Sequence, residues 1–139
     1  MSHRVACDSA PRIAAIASLA GVVWKDATKC QPSEPVAILQ LHGDMDLAVP
    51  YGGGTNSPSA KETVAIWAQK NGCSGELTDN GETKDLDFLV DGPETHVARY
   101  TCAKGAAELW TLSGVGHVPN VVQPDWGNAL WSFLTAFSK

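Results

Sequence analysis

Apolar positions along this chain change their spacing from segment to segment, and each spacing predicts a different element. Residues 12–20, RIAAIASLA, and 36–41, VAILQL, are short continuous apolar runs that end at Gly21 and Gly43. That is the pattern of parallel strands buried on both faces, and both are expected at the centre of a sheet. In SAKETVAIWAQKNG the apolar Val64, Trp67 and Ala68 share one helical face, Ser59 and Glu62 stand at capping-box spacing, and Asn71-Gly72 supplies a stop. A helix of about three turns follows. Residues 73–95 are polar and glycine-rich, after which HVARYTC and AELWTL read as two strands of a hairpin turning at Lys104-Gly105. The tail, PDWGNALWSFLTAF, places Trp126, Leu130, Phe133, Leu134 and Phe137 on one helical stripe behind Pro124, and this helix is expected to pack on a sheet.

Strands alternating with helices in 139 residues predict one three-layer α/β domain, with ligands at the carboxyl ends of the parallel strands. A net charge of -5, with ten scattered Lys and Arg, offers no footprint for nucleic acid or an anionic membrane surface. No apolar run approaches the roughly twenty residues of a membrane-spanning helix. The four cysteines, at 7, 30, 73 and 102, include no C-x-x-C pair and read as two structural disulfides. Of the three connectivities, Cys7 with Cys30 and Cys73 with Cys102 is the one in which each pair brackets a single compact unit. Disulfides imply an extracellular protein, although MSHRVACDSAPR has no apolar core of a secretory signal, so the signal is expected to be absent from this chain.

Candidate chemistry sits where the strands end. Asp44 and Asp46 follow VAILQL, and His117, in LSGVGHVPN, follows AELWTL at the corresponding end. A carboxylate that fixes one imidazole nitrogen leaves the other to take a proton from a hydroxyl nucleophile. Read alone, Asp46 is more readily a turn carboxylate, whereas Gly114 and Gly116 favour His117 as a base presented at a strand end over a loop histidine. Asp44 beside His42 does not make a metal site, because no further ligands stand at suitable spacing, and no cofactor is expected. His3 and His96 lie in polar surroundings and read as exposed. The five tryptophans read as core or interface anchors rather than a carbohydrate platform. Cys7 reads as a disulfide partner and not a nucleophile.

Together, HGDMDLAVPYGGG, WAQKNGC, RYTC and LWTLSGVGHVPN resemble the secreted α/β-hydrolase esterases related to polyhydroxybutyrate depolymerases and feruloyl esterases, over nearly the whole chain. The resemblance implies that Asp46 is the catalytic acid, His117 the catalytic base, and Asp44 non-catalytic. It implies a mostly parallel sheet flanked by helices. In that family a G-x-S-x-G elbow leads into a helix reading much like MSHRVAC, so residues 1–139 correspond to the carboxyl-terminal portion of one hydrolase domain, lacking the amino-terminal strands and the nucleophile elbow. The implied activity is hydrolysis of polyester or aryl esters. A non-catalytic α/β remnant or interaction domain is the alternative. Loss of the amino-terminal strands is expected to leave an exposed sheet edge that favours self-association.

Overall fold

The computed structural model describes residues 1–139. Its elements are α1 (Ser2–Asp8), β1 (Ala15–Leu19), β2 (Ala37–Gly43), α2 (Ala60–Lys70), β3 (Ser74–Lys84), β4 (Thr95–Thr101), β5 (Ala107–Leu112) and α3 (Asp125–Thr135). The five strands form one sheet in the order β1-β2-β5-β4-β3. Pairs β1-β2 and β2-β5 are parallel, whereas β5-β4 and β4-β3 are antiparallel.

The sheet is therefore mixed, not mostly parallel as expected. Chain connectivity is the cause: β4 joins β5 through a short turn at Lys104 and Gly105, too short for the crossover that a parallel pair requires. A second correction concerns RIAAIASLA, expected at the centre. β1 pairs only with β2 and stands at the sheet edge, while β2 is central and buried at all seven positions. β3 has no apolar pattern because most of its residues are exposed. Its backbone ladder to β4, broken by two irregularities, defines it instead.

Side-chain alternation along β2 builds the two cores. Val36 and Ile38 face α1 and α2 and pack with Ala6, Cys7, Ile16 and the fully buried Trp67. Ala37, Leu39 and Leu41 face the other way, with Trp110, Leu112 and Phe133 of α3. The layers are thus α1 and α2, sheet, then α3. Trp126, Leu130, Leu134 and Phe137 pack against the second core as the helical stripe requires, although Phe137 lies just past the helix end. Trp67 and Trp110 are buried anchors, but Trp131 projects outward and is exposed.

Both disulfides, Cys7–Cys30 and Cys73–Cys102, are present. Loops of this length give each bridge about 3 kcal/mol by restricting the unfolded chain. The first tethers α1 to the segment between β1 and β2. Ser59 Oγ accepts from the Glu62 amide at 3.0 Å, and the Glu62 carboxylate accepts from the Ser59 amide at 2.7 Å, which completes the capping box of α2. Ser59→Ala is expected to cost about 1 kcal/mol, read as a fall in Tm of roughly 4 °C by calorimetry.

Candidate active site

Parallel pairing of β2 with β5 sets Gly43 beside Leu112, so the loops leaving both strands emerge at the same sheet edge. Gly43 has to be glycine: a Cβ there would collide with the backbone carbonyls of Val115 and Gly116. Without one, the β5 loop crosses directly over the end of β2. The Met45 amide donates to the Val115 carbonyl at 3.1 Å, and the Asp44 amide to the Leu112 carbonyl at 3.1 Å.

This crossing brings Asp46 and His117 together. His117 Nδ1 lies 2.8 Å from Asp46 Oδ2. The other carboxylate oxygen, Oδ1, accepts from the amides of Ala48 and Val49, both at 2.8 Å. Asp46 is buried, and its desolvation opposes ionisation. The hydrogen bond from His117 and those from the two amides outweigh this and hold its pKa below the ordinary carboxylate value. An ionised carboxylate only accepts, so His117 Nδ1 carries the proton. His117 Nε2 is then the basic nitrogen, on a side chain nearly half exposed. A carboxylate-imidazole pair arranged in this way can take a proton from a hydroxyl group and return it to a leaving group.

Asp44 does not reach His117. Its Oδ1 accepts from the Gly114 amide at 2.7 Å and its Oδ2 from the Ser113 hydroxyl at 3.1 Å, so it pins the two loops to one another. His96 is exposed, as expected, but His3 is buried, which corrects its reading as a surface residue. Trp67 Nε1 donates to His3 Nδ1 at 3.0 Å, and His3 Nε2 lies 3.0 Å from Gln40 Oε1. Those partners make burial of a neutral imidazole tolerable.

Asp87 was not legible as part of the site. It is buried, and its carboxylate accepts from the amides of Leu89 at 2.9 Å and Asn120 at 2.7 Å, while the Phe88 amide donates to the Asn120 carbonyl at 2.9 Å. The segment just after His117 is thereby held against residues 87–89. Nothing local in the sequence marks this role. Exposed apolar side chains accompany the pair: Met45 and Leu47 in the Asp46 loop, Val118 next to His117, and Phe88 and Leu89 on the segment Asp87 secures.

Fold and site together define an α/β protein with a carboxylate-imidazole pair at the carboxyl edge of its parallel strands. No family model matches the chain. A protein named feruloyl esterase B, from Piromyces equi, is 31% identical to it over 152 residues, covering 99% of this chain and 25% of that protein. The chain is thus a distant relative of an esterase and spans about a quarter of the length of that curated relative. The two disulfides are consistent with an extracellular protein, and no helix is long and apolar enough to cross a membrane.

Proposed function

We propose that this chain is the acid- and base-bearing portion of a carboxylic ester hydrolase with an α/β-hydrolase fold and a Ser-His-Asp mechanism. The observation that carries the reading is the 2.8 Å contact between His117 Nδ1 and an Asp46 carboxylate held by two further backbone amides. His117 Nε2 is the general base toward a serine hydroxyl, and Asp46 stabilises the imidazolium that forms. No serine of residues 1–139 stands in a G-x-S-x-G turn, so the nucleophile comes from outside them. The substrate is an ester with an aryl or polyester hydrocarbon part. The relative's name supports the aryl ester, and the apolar side chains around the pair suit a hydrocarbon part of either kind. An extracellular location fits the two disulfides, and the unpaired outer side of β1 supports self-association of the isolated chain.

The test is hydrolysis of a short-chain aryl ester by the 139-residue chain and by the longest product of its reading frame. The short chain is expected to stay near background, because a triad without its nucleophile retains little activity. The longer product should contain a G-x-S-x-G elbow and turn over the ester, with loss of activity in His117→Ala. Turnover by the short chain that survives in His117→Ala, or a longer product with neither elbow nor activity, would sink the assignment and favour a non-catalytic domain.

A further inference from the structure

Behind the Asp46–His117 pair, buried polar side chains form one continuous run of hydrogen bonds across three elements. It passes from Trp67 on α2 to His3 on α1, then to Gln40 and His42 on β2, and ends at the Val49 carbonyl in the Asp46 turn. His3, Gln40 and His42 are all buried, on a strand face and helix otherwise given over to apolar packing.

Groups at the ends of the run have fixed character, and they determine every proton between. The Trp67 indole can only donate, so His3 Nδ1 accepts and His3 Nε2 carries hydrogen toward Gln40 Oε1. The Gly21 carbonyl can only accept, and it lies 2.7 Å from Gln40 Nε2, which fixes that amide in the same orientation independently. Gln40 Nε2 then donates to His42 Nδ1 at 3.2 Å. At the far end the Val49 carbonyl, 2.9 Å from His42 Nε2, again can only accept, so His42 Nε2 is protonated. Asp46 Oδ2 stands 3.3 Å from that same nitrogen. All the assignments agree, and the edge of the His42 ring meets Tyr51 at a centroid distance of 5.6 Å, which limits its rotation.

We propose that His42, locked in its Nε2–H tautomer by Gln40 and His3, is a positioning residue for Asp46. It holds the 46–49 turn through the Val49 carbonyl and directs Asp46 Oδ2 toward His117 Nδ1. The same run ties α1 to the acid loop. It deepens the proposed function by adding a residue that acts through Asp46. Its test reads proton positions and not turnover, so failure of the esterase assignment leaves it standing or falling by itself.

Long-range 15N–1H correlation on the wild-type chain is expected to show His3 and His42 as Nε2–H tautomers and His117 as Nδ1–H. His42→Asn, whose amide can meet Gln40 but falls short of Val49 and Asp46, should lose the His117 Nδ1–H signal. It should also lower the hydrogen-exchange protection of the Ala48 and Val49 amides by at least about tenfold. His42→Gln, which reaches both partners, should keep signal and protection. Wild-type His42 protonated on Nδ1, or His42→Asn with both readouts unchanged, overturns the proposal. Should His42→Asn fail to fold, the wild-type tautomers decide it alone.

Discussion

Asp46→Asn is expected to lower kcat by about 10⁴ in a polypeptide that supplies the serine, while Asp44→Asn leaves kcat within about tenfold. The difference comes from what surrounds each carboxylate. At position 46 the amides of Ala48 and Val49 demand an acceptor at the Oδ1 site, so the asparagine oxygen must take that place. Its NH₂ group is then forced to the Oδ2 site, facing His117 Nδ1. A donor there drives His117 into the Nε2–H tautomer, which has no lone pair where the serine proton must go. At position 44 the partners are the Gly114 amide and the Ser113 hydroxyl, and asparagine can satisfy both. Steady-state kinetics on the two variants, with His117 tautomers read by NMR, distinguish these outcomes. Equal losses at the two positions would mean that both aspartates serve loop geometry alone.

How much of this could be read from the sequence depended on whether the determinant was local. The capping box of α2, the run VAILQL and the hairpin of β4 and β5 follow from residues within one or two turns of each other, and all are present. Pairing of Asp46 with His117 was legible too, because each directly follows a strand and parallel neighbours end at the same edge. What escaped was set by distant partners. β3 is polar on both faces and exists through its ladder to β4, so periodicity gave no sign of it. The edge position of β1 depends on which strands are available to pair. His3 read as exposed because polar surroundings in sequence describe only the near chain, whereas its partners, Trp67 and Gln40, lie 64 and 37 residues away. One signal was there to be used: Gln40 and His42 alternate with Leu39 and Leu41 in a strand otherwise wholly apolar. Two polar residues on one face of a buried strand require partners, and a helix must supply them.

Lowering the pH from 7 to 4 is expected to remove about 3 kcal/mol of folding stability through His3 alone. Burial is the main cause of its lowered pKa, about 4 against an ordinary 6.5; the hydrogen bond to Gln40 opposes the shift and the amino-terminal charge adds to it. In the unfolded chain His3 takes up its proton as the pH falls through 6.5, while the folded protein refuses it until about 4. Unfolding is therefore favoured progressively across that window, by about 1.4 kcal/mol for each pH unit, and this group adds nothing further below it. Asp46, whose pKa is depressed, acts in the same direction at lower pH, where the carboxylate protonates in the unfolded chain while the folded protein still holds it ionised. Denaturant unfolding of the wild type and of His3→Phe at several pH values isolates the contribution, since the remaining groups are common to both. The stability difference between them should shrink by about 3 kcal/mol from pH 7 to pH 4. Parallel curves, or a His3 resonance titrating near 6.5 in the folded chain, would show an accessible imidazole. The same proton has a structural consequence: a doubly protonated His3 can no longer accept from the Trp67 indole, so the run that reaches the Asp46 turn is broken at its α1 end.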